Sequence, residues 1–459
     1  MATADDLAAS FIEAACVPLD RAHVSGTLER ANSILSAHPE IATSSVHTAA
    51  ILGDAIAVRR FIDEDRSNAA GKGGPRDWDA LTHLCFSRYL RLDQARSDGF
   101  VRAATALLDA GANANTGWWE NTHQPMPEWE SALYGAAGVA HNADVARLLV
   151  ERGAYVNDGE VTYHTPESYD NGALKVLVES GKLTADSLAI MLLRKADWHD
   201  YEGIKYLLER GADPNRRTGW GNTAFHNAIL SDNSLEIIEL MLDHGGDPMI
   251  VAHRPNRVLT EYGEKSGIEM AARGGRSDVF ETLERRGIPV ELHGVERLIA
   301  ACARNDSTAV RSIREEEPEL VELLLAEGGR LLAAFAITGN TDGVRQLLDL
   351  GVNVDTLFVE GNGYWDIARN STALHIACWR ASHEVVKLLI ERGAGVNLTD
   401  AQGRTALSRA VKACVDSYWT RMRAPDSVAA LLDAGASTAG VIFPSGYAAI
   451  DELLASHMN

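Results

Sequence analysis

The sequence predicts an all-α solenoid in which short helix pairs are stacked side by side. Three observations favour this fold. One unit recurs along the chain, for example "TALHIACWRASHEVVKLLIERGAGVN" at 372–397, and most copies end on a glycine turn. Hydrophobic residues make up 46% of the 459 residues, and Leu, Ala, Val and Ile dominate them. Self-similarity at a fixed period is typical of stacked repeats, in which each unit buries its apolar face against its neighbours.

The copies share one order of parts. A short apolar helix is followed by a Gly, Asn or Asp turn, then by a second helix with Leu pairs, and then by a Gly-Ala-x-x-Asn ending. Clear copies lie at 44–65, 131–157, 187–215, 223–247, 372–397 and 405–436. Because each repeat contacts only its neighbours, no single core has to grow with chain length.

These units resemble ankyrin repeats. Residues 372–377 match the Thr-Pro-Leu-His-x-Ala core of that family, with alanine at the proline position. The endings "AGANAN" (110–115), "RGADPN" (210–215) and "RGAGVN" (392–397) also fit the family. About fourteen units of about 33 residues would fit the chain. About eleven helix-turn-helix units can be placed, and insertions take up the rest. The resemblance implies hairpin finger loops between units and a concave face that binds partner proteins.

The repeat pattern also predicts the organisation of the chain. Capping helices are expected at 1–43, the repeat array at 44–436 and a C-terminal capping unit at 437–459, because the ends of a stack need a polar outer face. Insertions interrupt the array near 88–99, 158–172, 252–265 and 415–426. The first insertion should lengthen an inner helix or its turn, and the second leaves little room for an inner helix.

Charge and cysteine content limit the class of partner. The chain carries 43 Lys and Arg against 64 Asp and Glu, a net charge of −21, which disfavours nucleic acid and anionic membranes and favours a basic protein partner. The five cysteines are spaced too widely for a zinc site, and at least two at small-residue positions of first helices are expected to be buried, reduced thiols. The sequence shows neither a signal peptide nor a membrane span. We therefore expect a soluble, cytoplasmic protein.

Catalytic, cofactor and metal motifs are absent from the sequence. His47, His226 and His375 are expected to have structural roles, because they occupy the motif position at which a histidine satisfies backbone groups. Cys378 replaces a small alanine. His83 falls one position later and is expected to be exposed on the concave face. The "WHDYE" cluster (198–202) is expected to be a solvated turn rather than a metal or acid–base site.

Aromatic residues give the strongest functional signal. Six of the nine tryptophans fall in the connections between units, where the family places its binding fingers, and tryptophan is enriched in binding hot spots. The alternative is that these tryptophans pack finger against finger. Trp118 and Trp119 are adjacent and are not expected to point into the same layer. The predicted partner-binding residues are Trp78, His83, Trp118, Trp119, Trp129, Tyr163, Trp220, Tyr364 and Trp365.

Three functions remain open from the sequence. The leading prediction is a non-catalytic module that binds a partner protein or peptide through its concave face and aromatic fingers. A small-molecule site, for example for a sugar, or an enzyme would require a closed pocket lined by Trp118, Trp119, Tyr163 and Trp220, with His83, His123 and His164 nearby. A purely structural role is the third. A second contact site or a clamp between the last repeats is expected at Tyr418, Trp419, Arg421 and Arg423.

Overall fold

The chain forms two compact units, Met1–Asp247 (unit 1) and Pro248–Asn459 (unit 2). The computed structural model describes residues 3–19, 26–122, 126–253, 264–417 and 420–458. The described part is mainly helical in both units, with three short two-stranded sheets. None of the helices in this part combines the length and apolar content needed to cross a bilayer.

Unit 1 consists of short helices joined by tight turns and two hairpins. The helices are α1 (Ala4–Ala15), α2 (Glu29–Ala37), α3 (Val46–Ile51), α4 (Ala55–Glu64), α5 (Ala80–Cys85), α6 (Arg88–Leu92), α7 (Ser97–Ala110), α8 (Ala132–Tyr134), α9 (Ala143–Glu151), α10 (Gly159–His164), α11 (Gly172–Glu179), α12 (Ala185–Asp197), α13 (Tyr201–Glu209), α14 (Ala224–Leu230) and α15 (Leu235–Asp243). The hairpins pair β1 (Lys72–Gly73) with β2 (Trp78–Asp79) and β3 (Gly117–Glu120) with β4 (Glu128–Ser131).

Unit 2 repeats this arrangement. Its helices are α16 (Gly267–Arg273), α17 (Ser277–Arg285), α18 (Gly294–Ala303), α19 (Ser307–Glu316), α20 (Pro318–Ala326), α21 (Gly328–Thr338), α22 (Thr341–Asp349), α23 (Ala373–Trp379), α24 (His383–Glu391), α25 (Ala406–Val415), α26 (Asp426–Asp433) and α27 (Ala448–His457). Strands β5 (Leu357–Phe358) and β6 (Ser371–Thr372) form its hairpin.

The helices stack as pairs within each unit. In unit 1 the first helices form a row from α3 through α5, α8 and its π-helical extension, α10 and α12 to α14, and the second helices α4, α7 and α9 pack in a parallel row. In unit 2, α21 packs on α23 and α23 on α25, while α22 packs on α24 and α24 on α26. These contacts confirm the predicted all-α repeat fold.

Local sequence explains why each first helix begins where it does. Ser131, Thr223 and Thr405 are N-caps whose hydroxyl oxygens accept a backbone N–H from the first turn, which satisfies a donor that has no intrahelical partner. The second helices end at glycines such as Gly211, which adopts φ of 90°. A residue with a side chain would be strained there.

A recurring asparagine joins one repeat to the next. The Asn215 side chain donates to the Gly245 carbonyl at 2.7 Å and accepts the Asp247 N–H at 2.7 Å. Asn397 makes the same pair of bonds to Gly435 and Ser437. The last residue of the Gly-Ala-x-x-Asn ending therefore links neighbouring repeats through side-chain hydrogen bonds.

The insertions have different structures. The residues at 88–99 form α6 and a short 3-10 helix between α5 and α7, so they extend the turn. The segment at 158–172 contains α10, a first helix of only six residues. Most of the 252–265 insertion lies outside the described residues, as do Tyr418 and Trp419 of the 415–426 insertion.

Candidate functional site

The β3–β4 hairpin of unit 1 has two different faces. Its register pairs Trp118 with Glu130 and Trp119 with Trp129. Since successive side chains of a strand point to opposite sides, Trp118 and Glu130 share one face and Trp119 and Trp129 share the other. Trp118 is 8% exposed and Trp119 is 57% exposed. The first face is therefore internal and the second lies on the surface.

The internal face joins a row of aromatic rings that runs through successive repeats. The Trp118 ring lies 5.2 Å from the Trp78 ring and 6.0 Å from the Phe86 ring, measured between centroids. Phe86 contacts Tyr134 at 5.9 Å, and Tyr134 contacts His164 at 5.3 Å. Tryptophans Trp78 and Trp118 thus act as packing between repeats, and neither offers its ring as free surface.

His83 is also internal, and the expectation that it is exposed is wrong. Its side chain is fully buried next to Trp78 and His47, with ring centroids 5.3 Å and 5.2 Å away. Its Nδ1–H donates to the Asp79 carbonyl at 3.0 Å. Burial and the neighbouring His47 together lower the pKa of His83 to about 3. The position after the motif site therefore points into the layer between repeats.

The surface face of the hairpin lines a cleft. The Trp119 and Trp129 rings meet edge to face at 5.2 Å. Trp129 and the exposed Tyr155 border a cleft of about 350 Å³ whose floor includes Ser131 and Asp158. We call Trp119, Trp129, Tyr155 and this cleft the hairpin surface. Sequence analysis did not single out Tyr155, which belongs to the Gly-Ala-x-x-Asn ending of its repeat.

Tyr163 and Trp220 form a separate aromatic contact. Their rings lie 5.5 Å apart, and the Arg194 guanidinium stacks over the Tyr163 ring at 4.0 Å. Trp220 is 41% exposed, whereas Tyr163 is half-buried. Because Trp118 is buried and Trp119 lies on the other face of the hairpin, the described residues do not form the closed pocket that a small-molecule site on Trp118, Trp119, Tyr163 and Trp220 would require.

Unit 2 has its own finger, at residues 357–370. Tyr364 is 60% exposed, and its ring lies 5.1 Å from that of the half-buried Trp365. The Trp379 Nε1–H donates to the Trp365 carbonyl at 2.7 Å, which anchors the finger to α23. Asp366 adds a second anchor through Arg409 at 2.8 Å. Leu357 and Val359 of the same finger also have exposed side chains.

Three carboxylates meet on the internal side of the β3–β4 hairpin. One oxygen from each of Glu128, Glu130 and Glu160 lies within 4.8 Å of the other two. Burial and the nearby Glu160 raise the pKa of Glu130 to about 8. His164 donates to Glu160 at 3.2 Å and to Glu167 at 2.8 Å, and these two acids raise its pKa to about 9 despite its burial. These acids were missed because Glu160 lies thirty residues beyond Glu130 in sequence.

Comparison with known proteins identifies the repeats. Residues 298–400 and 354–438 match a family model described as ankyrin repeats (3 copies), and residues 192–242 match one described as ankyrin repeats (many copies). This chain contains ankyrin repeats. Over 255 residues it is 28% identical to E3 ubiquitin-protein ligase KEG of Arabidopsis thaliana, a match that covers 49% of this chain and 14% of that protein.

Two further comparisons give ankyrin proteins. Over 100 residues the chain is 36% identical to ankyrin repeat and SOCS box protein 11 of Mus musculus, covering 22% of this chain and 25% of that protein. The crystal structure of the human ASB11 ankyrin repeat domain is 23% identical, covers 60% of this chain and 98% of that chain, and gives a TM-score of 0.25. The match spans a quarter or less of each of the two curated relatives.

The motif histidines have the structural role expected in ankyrin repeats. The Thr372 N–H donates to His375 Nδ1 at 3.2 Å, and His375 Nε2–H donates to the Leu398 and Arg404 carbonyls of the following connection. His226 accepts the Thr223 N–H in the same way. His47 differs, because Ser45 rather than Ser44 is the N-cap and Thr48 takes the motif position. Its Nε2–H instead donates to the Gly71 carbonyl at 3.0 Å.

The remaining polar and sulfur-containing candidates are also structural. All five cysteines are free and buried, and burial raises the pKa of the Cys16 thiol to about 12. Asp200 of "WHDYE" is buried rather than solvated, since it caps α13 and binds Lys195 Nζ at 2.6 Å. The predicted contacts of His123, Tyr418 and Trp419 lie outside the described residues, and Arg423 stacks over Tyr447 at 4.7 Å.

Proposed function

We propose that this ankyrin-repeat protein binds an extended segment of a partner protein through the hairpin surface, with no catalytic step. Ankyrin repeats are generally protein-protein interaction modules, and their fold is typically non-catalytic. The observation that carries the proposal is the contrast between the two faces of one hairpin. Trp118 is packed inside, whereas Trp119 is exposed on a rigid strand beside a cleft.

Exposed tryptophan on a fixed backbone supports this role. One indole buries a large area on binding and loses little rotamer freedom, which is why tryptophan dominates interface hot spots. The internal row of aromatic rings holds the hairpin in place before a partner arrives, so little ordering entropy is lost. Exposed Tyr364, Leu357 and Val359 give unit 2 a second surface of the same kind, for which we propose the same role.

Charge favours a partner segment with lysine or arginine. The net charge is −21, and the described residues that line the cleft include Asp158 but no Lys or Arg. Such a field raises the association rate of a basic segment and disfavours acidic ones. We expect apolar side chains of the segment to contact Trp119 and Trp129 while its basic side chains face the surrounding acids.

A displayed library of random peptides tests the proposal. Panning on the full chain should enrich peptides that combine apolar and basic residues. In calorimetry, Trp119→Ala should weaken a selected peptide by about 2 kcal/mol or more, which is about thirtyfold in Kd. Ile56→Ala, which removes an even more exposed apolar side chain from α4, should leave the affinity unchanged.

Trp118→Ala provides the structural comparison. Because Trp118 packs against Trp78 and Phe86, its loss should lower the free energy of unfolding by about 3–5 kcal/mol, whereas Trp119→Ala should cost well under that. A variant that carries both Trp118→Ala and Trp119→Ala is therefore also expected to be destabilised. If the selected peptides bound Trp119→Ala and Trp129→Ala as tightly as wild type, the hairpin surface would not be the binding site.

A small-molecule ligand is the second candidate function. The cleft of about 350 Å³ is within the size range of ligand sites, and Trp129 and Tyr155 at its edge are rings on which a sugar can stack. Oligosaccharide binding that is lost in Trp129→Ala, together with no enrichment of peptides, would favour this candidate over the partner protein.

A further inference from the structure

The internal face of the hairpin contains a group of acids that the proposed function does not use. Glu128 and Glu130 are two residues apart on β4 and therefore lie on one side of it. Glu160 lies in the first turn of α10, in the next repeat. One oxygen from each of the three carboxylates lies within 4.8 Å of the others. Two consecutive repeats thus contribute acids to one place.

Glu130 is the most deeply buried of the three acids. It is 5% exposed, and its Oε2 is shielded from solvent and accepts no hydrogen bond from the described residues. No described Lys, Arg or His forms an ion pair with Glu130. Burying a carboxylate without a partner is costly, and the raised pKa of Glu130 reflects both that burial and the nearby Glu160, Glu128 and Asp158.

The charges that act on Glu130 include Glu160, Glu128 and Asp158, which raise its pKa, and His164, which lowers it. His164 is positioned between Glu160 and Glu167, at 3.2 Å and 2.8 Å, and is the cation they share. Arg194 pairs with Glu167 and Asp197. Asp158 adds a further acid close to Glu130. Among the described residues, His164 is held by Glu160 and Glu167, and no cation forms an ion pair with Glu130 itself.

We propose that Glu128, Glu130 and Glu160 bind a calcium ion. The donor set consists of carboxylate oxygens only, which suits a hard cation and excludes a preference for soft metals. Oxygens on opposite sides of a calcium ion are at most about 5 Å apart, because Ca–O distances are about 2.3–2.6 Å. The observed limit of 4.8 Å meets this condition. Calcium also tolerates flexible, carboxylate-rich coordination, whereas magnesium demands near-ideal octahedral geometry.

The ion has a structural consequence. Three carboxylates supply three to six of the six to eight oxygens that calcium takes, and water supplies the rest. Bound calcium joins β4 to α10 and so fixes the hairpin of one repeat to the first helix of the next. The site lies on the opposite face of the hairpin from Trp119 and Trp129. Calcium binding therefore does not require that a partner protein be bound to Trp119 or Trp129.

Terbium luminescence and calorimetry test the site on the full chain after treatment with a chelator. Trp118 is the register partner of Glu130, so its excitation should sensitise emission from bound Tb³⁺. Titration with CaCl₂ should show one saturable site and displace terbium. Glu130→Gln, which keeps the side-chain size, should weaken calcium binding by about tenfold or more, and Glu160→Gln should do the same. Glu151→Gln, an exposed acid on α9, is the matched control and should bind like wild type.

Absence of saturable calcium binding by wild type would overturn the proposal. Calcium binding by Glu130→Gln and Glu160→Gln that is as tight as that of wild type would overturn it too. Circular dichroism would check that both variants are folded. A Glu130→Gln variant that is more stable than wild type, in a protein that binds no calcium, would show that a proton shared among the acids replaces the ion. Tighter binding of MgCl₂ or ZnCl₂ than of CaCl₂ would overturn the choice of ion. No peptide is present, so these results do not bear on the hairpin surface.

Discussion

Adjacent residues of this protein can have opposite environments. Trp118 and Trp119 follow each other on β3, yet one is packed between repeats and the other is exposed. Alternation along a strand requires that they face opposite sides, and this much followed from their adjacency. Which of the two is internal depends on Trp78 and Phe86, which come from the preceding repeat. Sequence alone does not give that packing.

We expect the buried His83 to make the free energy of unfolding depend on pH. The pKa of His83 is about 3 in the folded chain and 6.5 ordinarily, because the imidazole is buried and faces His47 and the Arg76 charge. At pH values between these two pKa values, His83 is protonated in the unfolded chain and neutral in the folded chain. The free energy of unfolding therefore falls as the pH is lowered through this range. Between pH 7 and pH 5 we expect His83 to account for a loss of about 1–2 kcal/mol. Urea unfolding at the two pH values measures it.

The variant His83→Phe isolates this contribution. It keeps an aromatic ring in the layer with Trp78 but has no titrating group, so the difference in stability between pH 7 and pH 5 should be smaller than in wild type. His293→Asn, which changes an exposed histidine, is the control and should retain the wild-type difference. The same pH dependence in His83→Phe and wild type would show that His83 is accessible to protons in the folded chain.

At the scale of elements, the repeat pattern was predictable and the insertions were not. N-caps such as Thr372 and turns such as Gly393 follow from local chemistry, so helix positions can be read from the sequence. The separate helix α6 and the internal face of the β3–β4 hairpin could not be, because each depends on residues from other repeats. The acids Glu130 and Glu160 illustrate this, since no local pattern places them together.

The β3–β4 hairpin makes a prediction about Gly117. A β-carbon at this position would lie 2.2 Å from the Glu130 carbonyl oxygen and 2.9 Å from the Ser131 Cα. Both are backbone atoms, so Gly117→Ala must shift β3 relative to β4, at a cost of about 1–3 kcal/mol in the free energy of unfolding. We expect the variant to lose affinity for peptides selected on wild type, although it keeps every side chain of the hairpin surface. Thermal unfolding and calorimetry together measure both effects.

Gly219 is the matched position for this test. It lies in the loop before Trp220, and a β-carbon there has no neighbour within 4 Å. Gly219→Ala should therefore change neither stability nor peptide affinity. A Gly117→Ala variant with wild-type stability and affinity would mean that the hairpin register differs from the one described.

At the scale of the whole molecule, the features that matter are the net charge, the repeat fold and the division into two compact units. The excess of acids over the entire chain favours basic partners by long-range attraction, whatever repeat they contact. The ankyrin-repeat fold was predictable from recurring sequence, because each unit must bury the same apolar face against its neighbours. The division into two compact units at Asp247 was not among the sequence-based expectations, since the repeats on either side have similar patterns.

Compactness predicts that unit 1 folds without unit 2. Within unit 1 each helix pair packs on the neighbouring pairs, and the hydrogen bond from Asn215 to Gly245 joins two residues of this unit. Repeat stacks derive their stability from such neighbouring contacts, so residues 1–247 expressed alone should show a helical spectrum and a cooperative urea transition. Residues 1–215 form the matched control, because this cut removes α14 and α15, which cover α12 and α13. That fragment should unfold at lower urea than residues 1–247. If residues 1–247 showed no cooperative transition, the stability of unit 1 would have to come from residues beyond Asp247.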